Sequence, residues 1–264
     1  MRAWIVVVSV LALLTGADSA KADRRVALVV GNSAYKNMPP LANAADGARA
    51  MAKLLREVDF EVVEGFDATH DQLNARLLEF SKKAEGADLA LLYYSGQGVA
   101  VKGVSYLLPV DADPNSGMDV RSGRGIEVDA ALEQAMAGAA VRLLFLDASR
   151  DDPFKNVAAG TASKPGAPVA SATLAKTPGG TLIGYATGPG QTASDGMKGG
   201  HRPYTKALLD NIAKPGVEIQ QAMRLVRAQL NDETNKAQMA WGHSDLTGEV
   251  RLKPVAAPPD ASKK

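Results

Sequence analysis

Side chains that could take part in chemistry follow two apolar runs of the sequence. Gln97 stands between two glycines after the run ADLALLYYS, and Asp147 and Ser149 end the run VRLLFLDAS. A serine hydroxyl can act as a nucleophile when a neighbouring base takes its proton. A glutamine amide neither takes nor gives a proton near neutral pH. The two segments are the first candidates for a functional site, and Gln97 is the unexpected residue in it.

Strands and helices alternate between residues 24 and 253, and this alternation positions both segments. Short apolar runs predict strands, and apolar residues at helical spacing predict the helices between them. Such an order predicts an α/β fold with a mostly parallel sheet and helices on both faces. Ligand chemistry in such sheets lies at the carboxyl ends of the strands. The predicted strands are 25–31, 61–66, 87–96, 141–149 and 181–187, and the predicted helices are 44–58, 68–86, 128–138, 204–213 and 218–231.

Smaller features refine this prediction. Asn43 and Thr69 precede the first two helices and are of the residue types that cap helix N-termini. Short alternating segments around Gly103 predict a β-hairpin over 99–111. The stretch 155–180 is rich in Ala, Gly, Pro, Ser and Thr, which predicts a flexible loop between two strands, and the tail 253–264 is predicted to be disordered.

Residues 1–22 have the pattern of a cleaved signal peptide. Arg2 precedes the apolar run WIVVVSVLALL, and Ala20-Lys21-Ala22 offers the small-x-small pattern of a cleavage site. The alternative is an uncleaved anchor, but the run is much shorter than the roughly 20 residues that a spanning helix needs. No later segment is long enough to span a membrane. The expected location is therefore periplasmic or secreted.

Composition excludes several classes of function. The chain has 264 residues and a formal net charge of +1, which argues against a general nucleic-acid binder. It contains no cysteine, which removes disulfides, a thiolate nucleophile and any Cys-ligated metal site. We therefore expect one domain whose core alone stabilises the fold.

Several segments together resemble a known family. They run in order from residue 24 to 252 and resemble the caspase-like peptidases of bacteria, which are relatives of metacaspases. The resemblance implies a caspase-like three-layer sandwich and a cysteine peptidase of the C14 type. The matching segments are RVALVVGNSAYKNMPPLANAADGARAMAKLLRE, LLYYSGQG, SYLLPVDA, LLFLDASRDDPF, GYATGPGQTASDG, PYTKALL and WGHSDLTG.

The resemblance assigns both catalytic positions to residues that differ from the family's own. The loop after the third strand reads G-H-G in the family, and its histidine is the general base; here that position is Gln97. The loop after the fourth strand reads D-A-C-R, and its cysteine is the nucleophile; here that position is Ser149. The separation of the two positions agrees with the caspase spacing of about 50 residues. A plainer interpretation is that Gln97 satisfies backbone groups and that Ser149 fills a turn.

Asp147 and Asp195 are the candidate substrate-binding residues. In the family's arginine- and lysine-preferring members, acids at these positions form a pocket for a basic side chain. The resemblance therefore implies that an Arg or Lys of a peptide or protein partner could bind here. Alternatively, Asp147 caps the loop at Arg150.

Three histidines could in principle replace the missing base. His70 is expected at the surface, in the first turn of the second helix, and His243 in a C-terminal loop, where it packs. His201 lies before a later helix and could lie near the groove. None of the three is at the position of the family's base.

Cofactor signals are weak. The glycines near Gly31 and Gly96 lack the spacing of a nucleotide-binding loop. Oxygen-bearing residues could hold Ca²⁺, which favours such ligands, and some members of the family depend on calcium. A solvated turn is the alternative, so we expect no required cofactor. The residues concerned are Asp111, Asp113, Asn115 and Asp119.

These observations predict an exported pseudopeptidase of the caspase family. It would bind a basic peptide or a protein partner through the former substrate groove. The first alternative is an active endopeptidase or a weak serine-type hydrolase that uses Ser149 with a displaced base. The second alternative is a structural envelope protein whose surface, rather than its groove, carries the function.

Overall fold

The structure, a computed structural model, describes residues 23–101, 104–113, 124–148, 180–188, 191–197 and 199–255. The predicted signal segment 1–22, Ser149, the predicted loop up to residue 179 and the tail from 256 onwards lie outside the described residues.

Nine strands and five helices are formed by the described residues. The strands are β1 Arg25–Gly31, β2 Phe60–Phe66, β3 Leu89–Ser95, β4 Gly98–Val101, β5 Val104–Leu107, β6 Ile126–Glu127, β7 Val141–Asp147, β8 Thr181–Tyr185 and β9 Trp241–Ser244. The helices are α1 Ala44–Glu57, α2 His70–Ala84, α3 Val128–Ala135, α4 Pro203–Asn211 and α5 Ile219–Glu233.

The main sheet has six strands in the order β2-β1-β3-β7-β8-β9. All pairs from β2 to β8 are parallel, and β9 is antiparallel to β8 at the edge. A second, three-stranded sheet contains the predicted hairpin β4–β5, followed by β6. The predicted α/β class with a mostly parallel sheet is therefore confirmed.

Alternate residues of the central strands enter two separate cores. On one face, Leu91 and Tyr93 pack with Leu143 and Phe145 against α1, α4 and α5. On the other face, Leu92 and its alternating neighbours pack against α2 and α3. Because every residue of β3 is buried, this strand reads as a continuous apolar run rather than as an alternating one. The arrangement is the expected three-layer sandwich.

The two predicted helix caps have different outcomes. Thr69 caps α2 as predicted, and Gln72 completes a capping box with it. Asn43 precedes α1, but its side chain makes no cap hydrogen bond, so that prediction is wrong. The hydroxyl of Ser33 accepts the hydrogen bond from Ala45 N instead, at 2.9 Å. Asn43 is engaged elsewhere, as described below.

Two short strands were not predicted. β9 lies where we expected a C-terminal loop, and its His243 is exposed rather than packed. β6 has only two residues. In the described ranges, no helix combines the length and the apolar character that a membrane crossing requires.

Candidate functional site

The carboxyl ends of three neighbouring strands meet at one edge of the main sheet. Gly31 lies beside Ser95 in the β1–β3 pair, and Ser95 lies beside Asp147 in the β3–β7 pair. The contact continues past the strands, because Gly96 N donates to Asp147 O at 3.2 Å. The structure therefore brings the Gln97 loop next to Asp147, as expected. Ser149 lies two positions further along, outside the described residues.

The backbone of Gln97 is held by two tyrosines. Its N–H donates to the Tyr35 hydroxyl at 2.7 Å, and its carbonyl accepts from the Tyr94 hydroxyl at 2.6 Å. The carbonyl also accepts from Leu108 N at 3.1 Å. These contacts fix the loop from both sides, while the Gln97 side chain is half-buried.

The two phenols are neutral at physiological pH. Their hydroxyl oxygens lie 3.2 Å apart, and both side chains are buried. Burial raises the pKa of Tyr35 to about 12, against smaller opposing effects of its hydrogen bonds. Burial also raises the pKa of Tyr94 well above its ordinary value. Neither hydroxyl can therefore supply a phenolate as a base beside Gln97 near neutral pH.

Asn32 ties the neighbouring loops to this edge. Its side chain is fully buried, and its amide nitrogen donates to Leu108 O at 3.1 Å. Its amide oxygen accepts from Ala68 N at 3.0 Å. A single side chain thus joins the β1 end to the hairpin and to the segment before α2. The local sequence does not single out Asn32, because its partners are remote in the chain.

Asp147 is a fully buried carboxylate. One oxygen accepts from Thr205 N at 3.2 Å and from the Thr205 hydroxyl at 2.5 Å. The other oxygen lies 3.1 Å from Nε of Arg202. Arg202 is only 2% exposed, so the ion pair is shielded from water. Burial of a carboxylate without a cation would be costly, which explains why the fold supplies one.

Arg202 also approaches the second predicted acid. Its Nη1 lies 3.8 Å from Asp195 Oδ1, and the Asp195 side chain is 34% exposed. The structure therefore brings Asp147 and Asp195 together around one guanidinium. Their role as a pocket for a partner's basic side chain stays a prediction. Sequence reasoning missed Arg202, although the buried position of Asp147 signals a partner of positive charge.

The three histidines lie at different places in the fold. His70 stands at the start of α2, where its ring nitrogen lies 3.2 Å from Asp71 Oδ1. His243 is exposed on β9. His201 directly precedes Arg202 and is half-buried, and its Nδ1 has no hydrogen-bond partner among the described residues. In the described part of the chain, none of these imidazoles hydrogen-bonds to Gln97.

The candidate calcium ligands are only partly described. Asp111 Oδ1 accepts from His70 N at 2.8 Å and so supports the start of α2. Asn115 and Asp119 lie outside the described residues. Within those residues, no group of three or more His, Cys, Asp or Glu side chains is arranged to hold a metal ion. Calcium binding therefore stays a prediction.

The strand order, the antiparallel edge strand and the helices on both faces define a caspase-like α/β protein. The crystal structure of Caspase-1 from Spodoptera frugiperda superimposes with a TM-score of 0.60 at 15% identity, over 89% of this chain and 92% of that one. The family model described as Caspase domain, peptidase C14, matches residues 24–251. The chain belongs to the caspase domain family.

Two curated relatives match a shorter region. The human mucosa-associated lymphoid tissue lymphoma translocation protein 1 is 36% identical over 98 residues, which are 37% of this chain. Its Mus musculus homolog is 36% identical over 94 residues, or 36% of this chain. The matched region spans only 12% and 11% of the lengths of these two proteins.

Proposed function

We propose that this chain is an exported caspase-family protein that does not hydrolyse peptides and that binds a protein or basic peptide partner. The binding site is the groove at the carboxyl ends of β1, β3 and β7. Gln97 is the observation that carries the proposal, because it follows β3 where the resemblance assigns the catalytic histidine.

The chemistry of Gln97 supports the loss of hydrolysis. A caspase-type reaction needs an imidazole that takes the proton of a thiol and later gives it to the leaving amine. An amide cannot do this. A serine at position 149 depends on a base more heavily than a cysteine, since a hydroxyl is a weaker acid. Loss of such a unit in another protease costs on the order of 10⁶ in turnover, or roughly 8 kcal/mol of barrier.

The acidic pair supports the choice of partner. The Asp195 side chain is 34% exposed, although its Oδ1 atom is buried, so it is the more accessible of the two acids. Asp147 lies deeper, with no exposed surface. Charge complementarity therefore favours a basic segment at this edge. Export rests on the signal pattern of residues 1–22.

Peptide hydrolysis by the purified protein tests the loss of activity. Fluorogenic peptides that end in Arg, Lys or Asp are assayed with and without Ca²⁺, using the wild type and the double variant Gln97→His, Ser149→Cys. We expect no turnover by the wild type and measurable turnover by the double variant on at least one peptide. The single variants are the matched controls. Ser149→Cys lacks the base and is expected to remain silent, whereas Gln97→His pairs a base with a serine hydroxyl and is expected to be much slower than the double variant.

A different outcome would assign a different function. Wild-type turnover that Ser149→Ala abolishes, with labelling of Ser149 by a serine-directed phosphonate, would make the protein a serine-type hydrolase and refute the proposal. Binding is measured separately with an Arg-containing peptide, whose affinity is expected to fall in Asp195→Asn. An unchanged cellular phenotype in variants of Gln97, Asp147 and Asp195 would favour a structural role.

A further inference from the structure

One arginine of the chain lies between two acids that come from distant segments. Asp147 ends β7, Asp195 lies in the segment before α4, and Arg202 directly precedes α4. The guanidinium is almost completely buried, with Nε 3.1 Å from Asp147 Oδ1 and Nη1 3.8 Å from Asp195 Oδ1. Among the described residues of the cluster, two carboxyl groups therefore face one cation.

Other groups hold both carboxylates in place. Asp147 Oδ2 accepts from the backbone and the hydroxyl of Thr205. Asp195 Oδ2 accepts from Ala42 N at 2.8 Å. The Asn43 amide donates to the carbonyls of Asp195 and Met197, at 2.8 and 2.9 Å. None of these contacts involves Arg202. The acids are therefore positioned as a site for a cation by α4 and by the segment that precedes α1, rather than by the arginine itself.

The arginine fits this site loosely. Buried arginines are usually saturated by hydrogen bonds, and two parallel bonds to one carboxylate are the strongest arrangement. Here Nε and Nη1 of Arg202 have no well-aligned hydrogen-bond partner among the described residues, although both are within ion-pair distance of an acid. Charge and burial, rather than a directed fork of hydrogen bonds, keep the guanidinium in place. Such an occupant can be replaced by another guanidinium.

We infer that Arg202 is an internal ligand of a guanidinium site formed by Asp147 and Asp195. A basic side chain of a partner reaches Asp147 only after Arg202 has left. The inference rests on one part of the proposed function, namely that a partner's basic side chain binds at this cluster. The inference adds Arg202 as a specificity-determining residue. Only molecules in which Arg202 has left the site can bind the partner's basic side chain, so the apparent Kd for the partner equals the intrinsic Kd divided by the fraction of such molecules.

Chemical rescue tests the site without any protein partner. Arg202→Ala removes the atoms beyond Cβ, and ethylguanidinium supplies an equivalent group. Thermal unfolding is measured with ethylguanidinium chloride and with equal concentrations of sodium chloride. Ligand at about ten times its Kd shifts the folding equilibrium about elevenfold, which raises the Tm of a chain this size by roughly 3–6 °C. We expect this rise in Arg202→Ala and none in the wild type, whose site is filled.

Two variants separate a site from a merely stabilising arginine. Adding Asp147→Asn to Arg202→Ala is expected to abolish the rescue. Arg25→Ala is the matched control: the Arg25 side chain is also largely buried, but its polar partners among the described residues are the Leu252 carbonyl and the exposed Asp23. It is expected to show no rescue. If Arg202→Ala is unfolded alone, ethylguanidinium is expected to restore its helical circular dichroism.

The inference is overturned if folded Arg202→Ala does not respond to ethylguanidinium, or if Arg25→Ala responds equally. A second readout uses a short peptide with a C-terminal arginine, which is expected to bind Arg202→Ala about tenfold or more tightly than the wild type. Equal affinities would also overturn the inference. Neither result depends on hydrolysis, so the loss of activity proposed above stands or falls separately.

Discussion

The tyrosines around Gln97 allow the cost of an unpaired backbone group to be measured. Tyr35→Phe removes the hydroxyl that accepts from Gln97 N, and this N–H has no other acceptor among the described residues. A buried donor without a partner costs about 1–3 kcal/mol. Gln97 is half-buried. Because water recovers part of the cost at such a position, we expect Tyr35→Phe to lower the free energy of unfolding by about 1–2 kcal/mol.

Tyr94→Phe also removes one phenol hydroxyl, but we expect it to lower the free energy of unfolding by less than Tyr35→Phe does. The Tyr94 hydroxyl has one proton, which it donates to Gln97 O at 2.6 Å or to Leu108 O at 2.9 Å. Both carbonyls keep another donor, since Leu108 N bonds to Gln97 O and the Asn32 amide bonds to Leu108 O. No backbone group is left without a partner. We therefore expect a loss of about 0.5–1.5 kcal/mol, the net worth of an ordinary hydrogen bond.

Tyr204→Phe is the matched control. The Tyr204 hydroxyl is buried and has no hydrogen-bond partner among the described residues, so its removal should be neutral or stabilising. The assay is urea unfolding followed by circular dichroism, with the m-value checked for constancy. A Tyr204→Phe loss as large as that of Tyr35→Phe would refute the reasoning. So would a Tyr94→Phe loss clearly above that of Tyr35→Phe.

Three further predictions concern packing, capping and pH. Gly31→Ala should cost about 1–3 kcal/mol in urea unfolding, because its Cβ would overlap the Ala48 side chain and lie 3.0 Å from Ala44 O. Gly65→Ala, whose Cβ meets no atom closer than 3.6 Å, is the control and should cost much less. Thr69→Ala removes the capping box of α2 and should cost about 0.5–1 kcal/mol by the same assay, most visibly in helical signal; no change would show that the cap contributes nothing. Burial raises the pKa of Tyr35 to about 12, above its value of 10.0 when unfolded. The contribution of neutral Tyr35 to folding stability is therefore fully present below pH 10 and is lost as the pH rises from 10 through about 12. Unfolding curves at pH 9 and pH 11, with tyrosinate absorbance, check this, and normal titration near pH 10 in the folded protein would contradict it.

The central sheet could be predicted from the sequence because its strands have a local signal. β1, β3 and β7 are mainly apolar runs that end in small or polar residues, although β1 begins with Arg25 and β7 contains Arg142. A strand buried on both faces has this pattern. Alternation with amphipathic helices then restricts the connections to right-handed crossovers. The meeting of the Gln97 loop and Asp147 follows from this topology, since both end neighbouring strands of one parallel sheet.

Features that depend on remote partners could not be predicted in this way. Arg202 stands before a proline-started helix, where an arginine is normally exposed, and only its contacts with Asp147 and Asp195 show it to be buried. Asn43 has the residue type of a helix cap, but its bonds to the 195–199 segment compete with that role. β9 is missing from the prediction because Trp-Gly-His-Ser has no apolar run. Edge strands of this kind are defined by their neighbour rather than by their own residues.

The strand order also has a consequence for the folding pathway. β1, β2 and β3 are consecutive in the chain and lie side by side, so residues 25–95 contain three paired strands without help from the rest. The next strand of the sheet, β7, begins only at Val141. Until it arrives, β3 presents an open hydrogen-bonding edge along the segment LALLYYS, which has no charge and no proline. Such an edge is a template for pairing with other chains. We therefore expect the partly folded chain to be most prone to aggregation at β3, and a variant that delays the docking of β7 to increase aggregation more than one that weakens β9.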